Sequence, residues 1–283
     1  MKKIFAFSFG LAVLGLYVSC QKIQDTDELT PKNSIYVIDN SKPIWADEFN
    51  YNGAPDPTKW GYDIGGHGWG NDEKQYYTKD LKNARVENGT LIIEARKEKF
   101  ENNDYTSARL VTKHKGDFLY GRFEIKAKLP KGRGTWPAGW MLATEQSYGA
   151  NYWPDNGEID IIEHVGFDQD RIHGNIHTKA FNHTIKTNKG NNVVVPGVSD
   201  GFHIYACEWT PDAISIEIDG NKYFTFTKQS NYGWQEWPFD KKFHLLLNIA
   251  IGGGWGGQKG IDDSIFPQRM EVDYVRVYQA VKK

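Results

Sequence analysis

The chain has 283 residues, with 34 Lys and Arg against 36 Asp and Glu and a formal net charge of −2. That length fits one large domain or two small ones, and so even a charge balance excludes the electrostatic footprint of a nucleic-acid or anionic-membrane binder. The 10 Trp, 15 Tyr and 15 Phe supply a large buried aromatic area, and Trp set beside Gly and polar residues also suits sugars, whose pyranose faces stack on flat rings.

Met1-Lys2-Lys3 is a short basic start, and the apolar run from Ile4 to Val18 is too short for a comfortable membrane span. It ends in Val18-Ser19-Cys20 and resembles a bacterial lipoprotein signal, in which Cys20 becomes the lipidated first residue of the mature chain. The position three before Cys20 is Tyr17 rather than the expected leucine, with Leu16 one step earlier. An ordinary secretory signal with an incidental cysteine is the competing reading. Residues 21 to about 42 are polar and lack a sustained apolar period, as a flexible tether does. The expected organisation is a signal over 1–19, a tether over 20–43 and one domain over 44–283. The protein is expected to be exported and held to a bacterial membrane only through Cys20. Cys207, alone in the mature body, has no disulfide partner and reads as a small buried apolar residue in the alternating stretch His203–Trp209.

From Ile44 onward the pattern is short strands and turns, with no long segment of helical period. Gly89–Ala95 reads as a strand. So does Arg122–Leu129, with Phe123, Ile125, Ala127 and Leu129 on one face and Pro130 as its stop. Trp136 and Trp140 have even spacing and share a strand face, where core packing competes with a binding role. Ile214–Ile218 runs into Asp219-Gly220, a hairpin signal, and returns as Lys222–Thr227. Phe243–Ala250 is nearly continuous apolar, as in a strand covered on both faces, and Glu271–Tyr278 is a closing strand. Many strands separated by turns predict an all-β sandwich of two antiparallel sheets.

Gly157-Glu158-Ile159-Asp160-Ile161-Ile162-Glu163-His164-Val165 puts three carboxylates within six residues. On a strand Glu158 and Asp160 point to one face, and Glu163 has the wrong parity for it. One extra residue, a β-bulge near Ile161-Ile162, turns Glu163 back beside Glu158. The two glutamates are then four strand steps apart, roughly 13 Å at about 3.3 Å per residue. With inward lean their carboxyls come to roughly 5–6 Å, close to the separation a retaining glycosidase uses. Asp160 between them can hydrogen-bond the nucleophile and help hold the pair's pKa values apart. A solvated acidic strand face is the competing reading.

The Gly-rich stretches Gly65–Asn71 and Ile251–Gly257 are loops carrying Trp69 and Trp255. Neither is a phosphate cradle, since no Gly-Lys-Ser/Thr follows and no helix pattern opens; they read as sugar-stacking cleft edges, against simple flexibility. His173 and His177 have the spacing of metal ligands on a helix, but Gly174 and Ile176 favour a strand and the glutamate of a zinc-protease motif is missing. No Gly-x-Ser-x-Gly elbow supports a serine esterase.

With these residues in place the chain resembles glycoside hydrolase family 16, and within it the bacterial endo-β-1,3-glucanases (laminarinases), over about residues 44–279. The most specific segment is Trp153-Pro154-Asp155-Asn156-Gly157-Glu158-Ile159-Asp160-Ile161-Ile162-Glu163, which is similar to the family's bulged Glu-x-Asp-x-x-Glu signature. Trp45–Phe49, Gly68–Asn71 with Gln75–Thr78, Ser107–Leu110, Tyr120–Glu124, Glu208–Pro211 and Phe266–Gln268 with Val272–Tyr278 support it. The resemblance implies a monomeric, concanavalin A-like β-jelly-roll sandwich with a concave cleft. It also implies hydrolysis of internal β-1,3 bonds in a β-glucan with retention, needing no catalytic cofactor. Glu158 would be nucleophile, Asp160 its helper and Glu163 the acid/base; Trp136, Trp140 and Trp255 would be sugar platforms, and Asn71, Arg109 and His177 polar contacts. A structural calcium, as many members hold, would fall to Glu48, the Gly89 carbonyl and Asp273; oxygen-only ligands suit that ion. Gly139 stands where relatives more often carry a larger side chain. The rival readings are a mixed-linkage β-1,3-1,4-glucanase or a galactanase of the same fold, or a non-catalytic glycan-binding module.

Overall fold

Period-two alternation builds the strands that matter most for the site. Along Gly121–Lys128 the residues Phe123, Ile125 and Ala127 are buried, while Arg122, Glu124 and Lys126 stand half-buried on the opposite face. Asp219 and Gly220 both take positive φ, 50° and 79°, the geometry that suits a two-residue hairpin turn between Ala213–Ile218 and Asn221–Thr227. The computed structural model describes residues 34–283. The expected signal over 1–19, Cys20 and the tether as far as residue 33 lie outside the described residues.

Two sheets of 11 and 8 strands stack face to face. The path of the larger runs through Asn221–Thr227, Ala213–Ile218, His203–Trp209, Gly121–Lys128, Gln268–Lys282 and Thr90–Phe100. The smaller runs Lys189–Val194, Arg171–His177, Glu158–Glu163, Thr135–Ala143, Phe243–Ile251, Arg109–Val111 and Gly61–Tyr62. Among the described residues the pairings are antiparallel, apart from Gln75–Tyr77 with Asn103–Ser107. The core lies between the sheets, where Leu245, Leu247 and Ile249 meet Phe123, Ile125, Val275 and Val277. Phe243–Ile251 is buried at every residue, because its outer face is covered too: Leu246 lies beneath Trp140, Tyr152 and Trp153. Cys207 is a buried, free thiol inside His203–Trp209, as its alternation predicts.

The expected bulge is present. On one side Asp160 and Glu163 face Asn175 and His173, three residues of chain against two. On the other, Asp160 and Ile162 face the adjacent residues Trp140 and Gly139, leaving Ile161 as the residue without a counterpart. Ile161 and Ile162 are both buried, and Glu163 emerges on the cleft side with Glu158. The bulge presses Ile162 toward the core, and Gly139 makes room for it. A Cβ at Gly139 would stand 2.8 Å from Ile125 Cδ1, 3.1 Å from Ile162 Cδ1 and 3.4 Å from Leu247 Cδ2. The small residue therefore leaves no hole; three neighbours already fill the place of a side chain.

The described part of the expected tether departs from expectation. Tyr36–Asp39 is a strand, paired antiparallel with Gln279–Lys282 at the end of the closing strand. That closing strand continues to Lys282, so it offers a free edge that four residues of backbone can satisfy. Four residues are too few to register as a sustained apolar period.

Gly139→Val should therefore destabilise the fold through overpacking, by about 1–3 kcal/mol and a Tm several degrees lower. Adding Ile125→Val should recover part of the loss. A Tm for Gly139→Val at or above that of the parent contradicts this packing account.

Candidate active site

The 8-stranded sheet carries an open cleft of about 890 Å³, and Glu158, Asp160 and Glu163 all line it. Glu158 and Glu163 are half-buried at the two ends of one strand, and Asp160 is buried between them. Glu163 is held from two sides: Asn175 Nδ2 donates to its Oε2 at 2.8 Å, and Trp136 Nε1 donates to its Oε1 at 3.3 Å. His177 faces Glu158 across the strand pair, with Nε2 at 3.8 Å from Glu158 Oε1 and 3.3 Å from Asp160 Oδ2.

All three carboxyls are pushed above the usual carboxylate range, and burial is the first cause in each. For Glu158 the neighbouring Asp160 charge adds to burial and His177 opposes it. For Asp160 the Glu163 charge adds. For Glu163 the restraints are His177 and the bonds from Asn175 and Trp136. Asp160 and Glu163 each feel the other's protonation state, so these buried acids do not titrate independently. Two carboxyls facing the same cleft with a third between them are the equipment of a double displacement at an acetal carbon, one serving as nucleophile and one as proton donor.

The remaining expected contacts line the same cleft: Asn71, Arg109, Trp136, Trp140, His177 and Trp255. Arg109 is buried, with its guanidinium 4.8 Å from the Trp69 ring and 4.7 Å from the Trp140 ring, and Nε 3.1 Å from Asp63. Trp136 and Trp255 meet edge to face at 5.6 Å, and His173 packs against Trp255 at 4.9 Å. Trp136 is thus a donor to Glu163 as well as a ring surface. The two Gly-rich loops are locked together rather than loose: Gly254 N–H donates to Asn71 O at 2.8 Å, and Lys74 N–H to Ile251 O at 2.8 Å. Gly253, at φ 76°, would put a Cβ 2.9 Å from Asn71 O, so that crossing needs glycine.

Beneath these rings runs a polar chain that pattern reading missed. Trp140 Nε1 donates to Asn248 Oδ1 at 2.8 Å, Asn248 Nδ2 to Tyr77 Oη at 3.1 Å, and Tyr77 Oη to Glu73 Oε2 at 3.1 Å. Glu73 also accepts from Gln75 at 2.6 Å and from Asn71 at 3.2 Å. Burial pushes the Glu73 carboxyl up, and the Gln75 and Asn71 bonds restrain it. Asn248 was hidden in an apolar run, where a single asparagine was the available signal. Asn175 had a clearer one, since Arg171, His173, Asn175 and His177 alternate as a polar face of one strand. Trp153 and His183, 5.2 Å apart, add to the wall beside His177.

The expected calcium ligands lie elsewhere and do not fit that ion. Both Glu48 oxygens accept from Arg276, at 2.8 Å each, and Asp273 pairs with Lys126 at 2.8 Å. Gly89 sits in the turn between Ala84–Glu87 and Thr90–Phe100. The two carboxylates already have their cations from the protein, whereas a calcium site presents free oxygens.

Residues 71–276 match the family described as glycosyl hydrolases family 16. A β-glucanase of Rhodothermus marinus is 57% identical over 244 residues, covering 84% of this chain and 85% of the relative. The solved laminarinase of Rhodothermus marinus superposes with a TM-score of 0.84 at 56% identity, covering 85% of this chain and 98% of that one. SCLam, described as a non-specific endo-β-1,3(4)-glucanase from family GH16, superposes at 0.81 with 46% identity, covering 89% and 94%.

Because Asn175 favours the charged form of Glu163, its removal raises the Glu163 pKa further. For Asn175→Ala the alkaline limb of the kcat/KM profile should move to higher pH, since the protonated acid survives longer as pH rises. An alkaline limb that stays in place, or moves to lower pH, contradicts the assignment of that limb to Glu163.

Proposed function

The chain belongs to glycoside hydrolase family 16, and from that premise we propose that it is a retaining endo-glycosidase that hydrolyses internal β-1,3-glucosidic bonds of laminarin-type β-glucans. One observation carries the mechanism: the bulge turns Glu163 to the same aromatic-walled cleft as Glu158.

In the proposed first step Glu158 carries the negative charge, with Asp160 beside it on the same strand face. A Glu158 oxygen attacks the anomeric carbon as the glycosidic C–O bond breaks, and the Glu163 proton passes to the leaving oxygen. In the second step Glu163, now a carboxylate, takes a proton from water. The water oxygen displaces Glu158 from the anomeric carbon, and net consumption is one water. Asn175 and Trp136 keep the Glu163 oxygens aimed through both steps. The platforms Trp136, Trp140 and Trp255 stack sugar faces, while Asn71, Arg109 and His177 address hydroxyls.

A mixed-linkage β-1,3-1,4 specificity is the second reading, and SCLam's description as non-specific is what favours it. A non-catalytic glycan-binding module has no use for three carboxyls crowded on one strand, where burial opposes their charge. Products from laminarin, lichenan and agarose separate these readings. Reducing ends from laminarin, lost by at least about 10³-fold in Glu158→Ser while oligosaccharide binding survives, are the expected result. Reducing ends from none of the three would point to the binding module, and a Glu158→Ser variant that still cleaves laminarin well would refute the nucleophile.

We also propose export with a lipid anchor at Cys20, supported by Lys2-Lys3, the apolar run to Val18 and Ser19-Cys20. Cys20→Ala should release the protein from the membrane fraction. A variant that still fractionates with membranes contradicts the anchor.

A further inference from the structure

We propose that Glu158, Asp160 and His177 form a binding site for one divalent transition-metal ion of the Zn²⁺ or Cu²⁺ class, and that this ion and glucan exclude one another. Among the described residues this is the one group of three His, Cys, Asp or Glu whose ligand atoms converge, all within 4.8 Å of one another. His177 Nε2 stands 3.3 Å from Asp160 Oδ2 and 3.8 Å from Glu158 Oε1. Four-coordinate zinc, with bonds of about 2.0–2.2 Å to nitrogen and oxygen, sets its ligand atoms roughly 3.3–3.6 Å apart. The side chains therefore already stand near the edge lengths of that polyhedron.

Hydrogen bonding does not explain the approach. Asp160 and His177 are 2% and 5% exposed, yet Asp160 Oδ2 and His177 Nδ1 have no hydrogen-bond partner. A buried, unpaired carboxylate oxygen is costly, and this one is aimed at an imidazole nitrogen. The backbone fixes the set: Glu158 and His177 are direct partners across two antiparallel strands, and Asp160 is two residues along on the same face. One imidazole and two carboxylates suit zinc, copper or nickel, whereas calcium and magnesium prefer oxygen alone. Glu158 lines the open cleft, so a fourth position is available to water.

The segment holding His173 and His177 is a strand, as Gly174 and Ile176 favour, so the two histidines do not converge as they would on a helix. The two lie on one strand, four residues apart and roughly 13 Å along it at about 3.3 Å per residue. His177 takes its ligand partners from the neighbouring strand instead. An ion here occupies Glu158, so mutual exclusion with glucan rests on the reading of Glu158 as nucleophile; the binding itself does not.

The test is calorimetric titration of untagged, chelator-stripped protein with ZnCl₂ in a non-coordinating buffer, with laminarin hydrolysis followed in parallel. One equivalent should bind. The affinity should fall at least about tenfold in His177→Gln and in Glu158→Ser, since each removes one of three protein ligands. Binding should persist in His183→Gln and His173→Gln, with thermal unfolding confirming that each variant is folded. Zn²⁺ should raise the apparent KM for laminarin without lowering kcat, and EDTA should reverse this. Absence of a one-to-one site up to millimolar Zn²⁺, or a site undiminished in His177→Gln, overturns the proposal. Zn²⁺ bound through His177 in a protein that hydrolyses no glucan would leave the metal site standing and refute the glucanase reading alone.

Discussion

Strand parity is the constraint on which the active site depends. A regular strand sends residues five apart to opposite faces, so Glu158 and Glu163 would sit on either side of the sheet. Ile161, the residue with no counterpart across the pairing with Thr135–Ala143, removes that obstacle by adding one residue to one side of the ladder. The consequence reaches through the sheet, because Ile162 is driven toward the core and needs the space that Gly139 leaves against Ile125 and Leu247. Catalytic geometry and core packing are thus two faces of the same irregularity.

Burial does the rest of the electrostatic work. The carboxyls sit in a cleft floored by apolar strands, and desolvation is the leading push on each. What differs among them is company: Glu163 has two neutral donors, while Glu158 and Asp160 have chiefly each other and His177. Different partners thus surround chemically similar groups on one strand. Farther along the cleft the same logic recurs in Glu73, whose buried carboxyl gathers Asn71, Gln75 and Tyr77 and so ties the Trp140 ring to the Asn71 loop.

Local pattern carried much of this. Alternation exposed the strands, Asp219-Gly220 the hairpin, and the parity of Glu163 the bulge. These features are written in neighbouring residues, and local spacing decides them. The carriers of the site that escaped notice depend on distant pairings. Asn248 reaches Tyr77 across 171 positions of chain, and nothing in an apolar run announces that partner. Asn175 matters because bulge and register set it opposite Asp160 and within reach of Glu163. The same holds for Glu48 and Asp273: their type suited calcium, while Arg276 and Lys126 became their partners through sheet register that sequence spacing does not show. Tyr36–Asp39 is a strand because the end of the closing strand needs an edge partner.

The central claim is that the bulge aligns two carboxyls for a double displacement, and stereochemistry tests it most directly. Proton NMR of laminarin during the first minutes of hydrolysis reports the anomer released before mutarotation. The β anomer should appear first, with α growing in later. Initial release of the α anomer would mean single displacement by water and would contradict the account.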